Sequence, residues 1–497
     1  MTITMPKPDE RVLAERDSFL LALAGLVPAE NLIADRVGLK AYECDALSAY
    51  RTLPLAVVLP ETTAEVSDVL RLCLDHDVKV VPRGSGTGLS GGALPLEDGV
   101  LLGLGKFNRI LEVDYDNRCA TVQPGVTNLS ISQAVSVAGF YYAPDPSSQI
   151  ACSIGGNVAE NSGGVHCLKY GVTTNNILGL EIVLMNGDVV RIGGKHMDSD
   201  GYDLLGILTG SEGLLGVITE VTVRILPKPS SVGALLLGFN DLAEAGDCVA
   251  RIIADGIIPA GLEMMDKPAV HATEDYCKAG YPLDVEALLI CELDGPEAEV
   301  EELSGRVEAI ARDCAATTVR RATSEEERQR FWLGRKSAFP AVGKISPDYY
   351  CIDGTIPRGR LSEVLKRMRE LSKRHGLGVV NVFHAGDGNL HPLIMYDAAR
   401  DGDLEKTEAL AADILTLCVE VGGVLSGEHG IGVEKRDLMG TMFNEDDLKQ
   451  QQRVKCAFDP DGLLNPGKVF PILHRCAELG HMHVHKGELP FPDLPRF

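Results

Sequence analysis

Apolar positions along this chain recur at two periods, and the changes between them mark out its elements. Residues 9–25 read as a helix ending near Gly25, and the apolar runs 55–59 and 78–81 read as strands. Between those runs, Thr62-x-x-Glu65 is a capping box that opens a helix reaching Asp75. Runs 110–113 and 120–122 predict a hairpin around Tyr115-Asp116-Asn117, with a helix over 127–138 behind it. Residues 178–185 and 189–192 are joined by Asn186-Gly187, which predicts a hairpin with a type I′ turn. Val217, Thr219, Val221, Val223 and Ile225 alternate as a strand. Pro227-Lys228-Pro229 is the clearest boundary. Beyond it strand and helix patterns follow one another at 234–239, 243–254, 287–292, 300–313 and 361–375, predicting an α+β domain with an antiparallel sheet. A helix near 446–458 precedes the last segment. The division expected is a lead-in over 1–54, a first domain over 55–229, a second over 230–430, and a closing segment and tail over 431–497.

One loop changes this picture from fold to chemistry. PRGSGTGLSGGALP, residues 82–95, brings Gly84, Gly86, Gly88, Gly91 and Gly92 together just after a strand. Backbone amides with no Cβ in the way can converge on an anion, and Ser85, Thr87 and Ser90 add hydroxyl donors. A plain Gly/Ser linker shares that composition. Residues 86–91 match G-x-G-x-x-G in letters, but no helix fits after Gly92, so the dinucleotide reading fails. No Gly-Lys-Ser/Thr follows either. A pyrophosphate loop between strands, working without a helix dipole, is what remains. Residues 143–148 and 153–164 form a second Gly- and Asn-rich region, read on its own as loops.

Two histidines frame another turn. His384-Ala-Gly-Asp-Gly-Asn-Leu-His391 separates the runs 379–383 and 393–396, predicting a hairpin with an imidazole on each side. Ser426-Gly-Glu-His-Gly430 places Glu428 and His429 in a further glycine-framed loop. Two imidazoles and a carboxylate suit a divalent ion with positions left open for substrate; hydrogen-bonded structural histidines are the other reading. Trp332-Leu-Gly-Arg-Lys336 ends a polar helix that starts near Ser324. Arg335 there is either part of a solvated basic turn or a bidentate carboxylate clamp, with Lys344 a second candidate.

At 497 residues, the chain has room for about three domains. Acidic residues outnumber basic ones 71 to 47, and the net charge of −24 argues against nucleic acid and anionic membrane as direct partners. Residues 1–17 lack the apolar core of a signal peptide, and no run approaches a membrane span. The 13 cysteines lie singly with no C-x-x-C, indicating neither a zinc ribbon nor an iron–sulfur cluster and fitting a reducing cytoplasm. His481, His483 and His485 in the tail are expected to be solvated.

The core Arg83-Gly84-Ser85-Gly86-Thr87 resembles the pyrophosphate loop of the FAD-linked oxidase family, of vanillyl-alcohol-oxidase (PCMH) type, and the likeness extends over nearly the whole chain. It implies a two-part FAD-binding domain, an α+β cap and a closing C-terminal segment. By that resemblance Pro82, Arg83, Gly84, Ser85, Gly86, Thr87, Gly88 and Ser90 hold the pyrophosphate, and Asp145, Ser147 and Ser148 lie near the flavin. Gly155, Gly156, Asn157, Asn161 and Gly163 would wrap ring and pyrophosphate. Glu212, Gly216 and Ile218 would lie on the adenine side, with Asn465 in the segment that closes over the flavin. Residues 83–92 contain no histidine, so the FAD is expected to be non-covalent; His166 is the one nearby histidine.

The histidine motifs resemble the D-2-hydroxy-acid dehydrogenase branch of that family. This implies His384, His391 and Glu428 as ligands of zinc or manganese, His429 as general base, and Arg335 on the substrate carboxylate. Residues 347–351 and 353–357 most resemble the glycolate-oxidising members. Leu393 stands where glutarate-type members carry Asn, which implies a small substrate, glycolate or D-lactate. Also implied are a second flavin-type subunit and an iron–sulfur subunit as partners, in the cytoplasm or at the inner membrane face through them. A stand-alone D-lactate dehydrogenase and a non-redox transferase resembling alkyl-glycerone-phosphate synthase are the alternatives.

Overall fold

A computed structural model describes residues 5–196 and 201–471; the tail histidines lie outside them. The N-terminal half carries two sheets. In the first, the strands run Leu32–Ile33, Ala56–Val58, Gly99–Gly103, Lys79–Arg83, and the last three are mutually parallel. Helix Thr63–Asp75 carries the chain from Ala56–Val58 past the place of Gly99–Gly103 to Lys79–Arg83, and its Thr62/Glu65 capping box forms as the sequence predicts. The second sheet is antiparallel, in the order Ile110–Asp114, Cys119–Val122, Val217–Arg224, Ile177–Val183, Val189–Gly193. Its alternating strand buries Val217, Thr219, Val221 and Val223 on one side, as period two requires.

From Ser231 onward a seven-stranded antiparallel sheet takes over, in the order Thr318–Arg321, Ser231–Phe239, Ala287–Gly295, Gly261–Asp266, Val379–Phe383, Pro392–Tyr396, Asp348–Cys351. Both faces are covered. Leu235, Leu237 and Phe239 enter one core with helices Leu242–Ala254, Glu297–Asp313 and Leu361–His375, while Ala234 and Leu236 enter the opposite core with helices Lys267–Cys277 and Glu325–Lys336. A strand buried on both faces reads as one apolar run rather than as alternation. After helix Glu445–Phe458 the chain returns to the first sheet. Leu464 bridges Val80, the N–H of Asn465 donates to the Val80 carbonyl at 2.7 Å, and Leu463 and Leu464 join that core.

Three local expectations need correction. The helix over 9–25 is two, Glu10–Ala14 and Arg16–Leu23, parted at Glu15. The Asn186-Gly187 turn is not type I′, because only Gly187 is left-handed, at φ +81°. Leu184 N–H reaches the Asp188 carbonyl at 2.9 Å, so this is a type I turn closed by a glycine bulge. Residues 153–164 are not all loop. Ser153 caps a helix, Ile154–Glu160, which Asn161 ends in the left-handed conformation at φ +54°. Among the described residues no helix is long and apolar enough to cross a membrane.

Candidate functional site

A cavity of about 400 Å³ is lined from both halves of the chain. The N-terminal half contributes Pro82, Arg83, Gly84, Ser85, Gly86, Thr87 and Gly88, then Ser147, Ser148, Gly155, Gly156, Asn157, Glu212, Gly216 and Ile218. The second half contributes Lys336, Phe339, His391, Glu428 and His429. The two glycine-rich regions meet here physically. A Cβ on Gly84 would fall on the Ser153 hydroxyl, and one on Gly86, at φ +71°, would fall on the Arg83 guanidinium. The wall is therefore backbone. The loop does not lie alone between strands, as the sequence suggested, but against the first turn of helix Ile154–Glu160.

Other predicted cofactor residues brace this wall from behind. Ser90 is fully buried, and its carbonyl accepts the N–H groups of Val433 (2.9 Å) and Glu434 (3.1 Å). Asn465 donates to the carbonyls of Gly92 (3.0 Å) and Glu212 (2.7 Å). The Glu212 carboxylate accepts from Ile431 and Gly432 N–H, each at 2.7 Å, locking the C-terminal segment onto the loop. Asn161 accepts from Thr174 N–H (2.9 Å), and Gly163 abuts the Glu428 carboxylate. Asp145 is turned away to His166, 2.8 Å from Nδ1, while His166 Nε2 lies 3.1 Å from Glu292 of the seven-stranded sheet. Burial lowers the His166 pKa, but Asp145 and Glu292 outweigh it and lift the imidazolium to about 10. His166 is thus a charged latch between the two halves, with both ring nitrogens engaged.

The histidine hairpin forms as predicted. Strands Val379–Phe383 and Pro392–Tyr396 pair antiparallel, and His384 bridges Asn389 across the turn. Side-chain donor atoms of His384, His391 and Glu428 all lie within 4.8 Å of one another. Glu428 Oε1 stands 3.0 Å from His391 Nε2 and 3.4 Å from His384 Nε2, and the His391 nitrogen has no aligned hydrogen bond. Burial would push the Glu428 carboxyl up, but the two imidazoles hold it well below the usual carboxylate range. His429 stacks on His391 with ring centroids 4.8 Å apart. Its own burial pushes it down to about 4, so it is a neutral imidazole at physiological pH.

Sequence reading missed the residues that aim this cluster. Glu263, 1% exposed, accepts His384 Nδ1 at 2.8 Å through one oxygen and Arg335 Nε at 2.9 Å through the other. Arg335, 2% exposed, therefore spends its guanidinium on Glu263 and does not line the cavity, contrary to the clamp expected of it. Its neighbour Lys336 is the cation that the second half of the chain places on the cavity wall. Lys344 stands apart, on the surface 3.5 Å from Asp275. Asp353 and Lys435, both fully buried, hold the loop that carries Glu428 and His429. The available signal was a charge in the middle of an apolar strand, Glu263 in GLEMMD.

A family model for the FAD binding domain matches residues 54–193, and one for FAD linked oxidases, C-terminal domain, matches residues 228–469. The chain belongs to the FAD-linked oxidase family and is a flavin-dependent oxidoreductase. It is 58% identical to the glycolate oxidase subunit GlcD of Escherichia coli (strain K12) over 97% of each chain. To a D-lactate dehydrogenase of Archaeoglobus fulgidus it is 36% identical, over 83% of this chain and 90% of that one. A 4-ethylphenol oxidase from Gulosibacter chungangensis shares the fold, with a TM-score of 0.79 over 95% of this chain and 100% of the other at 19% identity. FAD fits the cavity on its own terms, since a wall of unobstructed backbone with the hydroxyls of Ser85, Thr87, Ser147 and Ser148 suits a pyrophosphate.

Proposed function

We propose that the chain oxidises a small 2-hydroxy acid, glycolate or D-lactate, to its 2-oxo acid, as the flavoprotein subunit of a larger assembly. The observation that carries this reading is one cavity walled on one part by the glycine loop and on another by His391, Glu428 and His429. The relatives named glycolate oxidase subunit and D-lactate dehydrogenase support the same substrate class. FAD, when bound non-covalently there, supplies the two-electron acceptor for the hydrogen on C2. His384, His391 and Glu428 are the residues that would hold a zinc or manganese ion, which would supply a Lewis acid beside the substrate. Lys336 on the wall meets the substrate carboxylate, while Arg335 acts behind it by fixing Glu263 and so His384. His429, whose Nδ1 has no hydrogen-bond partner, accepts the hydroxyl proton.

Among the described residues no group of cysteines is gathered to hold an iron–sulfur cluster, and the electrons would leave through partners: a second flavin-type subunit and an iron–sulfur subunit, in the cytoplasm or at the inner membrane face. Anaerobic bleaching of the purified yellow protein with glycolate, D-lactate, L-lactate and 2-hydroxyglutarate tests the reading. Glycolate or D-lactate should bleach it fastest. If no 2-hydroxy acid bleaches it, the redox reading is wrong and a transferase using the same fold takes its place.

A further inference from the structure

We propose that Asp353, clasped by Lys435, is a positioning residue that holds the 426–430 loop in the conformation presenting Glu428 and His429 to the histidine hairpin; this rests on the oxidation assigned above to the cavity. Asp353 lies just beyond strand Asp348–Cys351 and is fully buried. Its Oδ2 accepts four hydrogen bonds from one short loop: Ser426 Oγ at 3.0 Å, Gly427 N–H at 3.0 Å, Glu428 N–H at 2.8 Å and His429 N–H at 2.8 Å. Three consecutive amides turned onto one oxygen form a nest closed around an anion. Ser-Gly-Glu-His-Gly has no strand or helix of its own to keep that curl.

Lys435 ties the far end of the same loop. Its Nζ lies 2.7 Å from Asp353 Oδ1 and donates to the Gly430 carbonyl at 2.8 Å. Ser426 Oγ also accepts from Gly430 N–H at 2.9 Å, so the loop is closed on itself as well as onto Asp353. Gly427 has no room for a side chain: a Cβ would meet Thr355 Oγ1 and Asn389 Cγ, both at 2.5 Å. The loop thus lies flush against the turn that carries the two histidines.

Burying this charge pair costs desolvation that an apolar pair of similar volume would avoid. What the charges add is a single geometry, and it is the geometry the cluster needs. Glu428 Oε1 sits 3.0 Å from His391 Nε2, so a backbone shift of about 1 Å would open the contact, and misplacement of that size costs roughly 10²-fold in rate.

The test uses the full-length FAD-loaded chain with Asp353→Asn, which keeps shape and one acceptor oxygen, and the gentler Ser426→Ala. Hydrogen exchange over residues 426–430 reads the anchor directly; stopped-flow flavin reduction by glycolate and D-lactate, per bound flavin, reads its consequence. For Asp353→Asn, exchange protection should fall at least ~10-fold and the limiting reduction rate roughly 10²-fold, with KM moving less than about threefold. Ser426→Ala should show the same split at a smaller scale, about five- to tenfold in rate, and it decides the matter if Asp353→Asn does not fold. Unchanged protection, an unchanged limiting rate despite lost protection, or a change confined to KM would each overturn the proposal. If the unaltered protein is not reduced by either acid, the substrate reading fails, while the exchange measurement still decides whether Asp353 anchors the loop.

Discussion

Glu263→Gln is the perturbation whose size the structure lets one work out. The substitution keeps the side chain's shape and removes one negative charge. That charge is shared by Arg335, at 2.9 Å through Nε and 2.8 Å through Nη2, and by His384 Nδ1 at 2.8 Å, with all three groups at 5% exposure or less. Uncompensated, a buried guanidinium costs about 3–5 kcal/mol. The unfolding entropy of a chain this long is on the order of 1 kcal/mol per kelvin, so the melting temperature should fall by about 3–5 °C if the chain unfolds as a unit. Function should fall further than stability. Glu263 fixes the His384 tautomer that leaves Nε2 facing Glu428, and losing such an outer partner typically costs about 10–100-fold in activity or metal affinity. Calorimetric melting, zinc titration and flavin reduction on the same preparation check all three. A variant melting within 1 °C (~1 kcal/mol) of its parent, with turnover within about twofold, would refute the reasoning, because Glu263 would then be a passive member of the core.

Other outcomes follow from the same geometry. His384→Ala, His391→Ala and Glu428→Ala should each keep bound flavin but lose turnover by about 10²-fold or more, checked by metal content and flavin reduction; near-normal turnover after thorough chelation would remove the metal from the scheme. Flavin should separate from the protein band on a denaturing gel, because the glycine loop holds no histidine and His166, the histidine nearest the glycine motifs in sequence, has both nitrogens held by carboxylates. Since the folded His166 pKa is raised to about 10, its latch contributes fully below the ordinary histidine value of about 6.5 and is lost as pH climbs through 10. The unaltered protein should therefore lose more melting temperature between pH 7 and pH 10 than His166→Gln does; parallel slopes would mean the latch contributes nothing. The isolated chain should reduce quinones only slowly without an artificial dye, and rapid quinone reduction by the pure chain would contradict the need for partner subunits.

Local physics was legible in the sequence because it acts over a few residues. The Thr62/Glu65 capping box, the hairpin around Gly386–Gly388 and the glycine-lined loop after Arg83 all follow from the conformational range of their own residues, and each formed. The tight grouping of His384, His391 and Glu428 was implied by the family resemblance rather than by local physics, because Glu428 comes from a separate loop that packing brings to the hairpin. The sequence could not say which charges would be spent on one another. Arg335 and Glu263 are 72 residues apart, Asp353 and Lys435 lie on separate elements, and Asp145 meets His166 rather than the cofactor wall. A buried charge takes whatever counter-charge the packing brings within reach, since the alternative is desolvation without return. That choice is made only when the seven-stranded sheet, the glycine loop and the returning C-terminal segment close around one cavity. Tertiary packing therefore paired Arg335 with Glu263 behind the wall and left Lys336 lining the cavity.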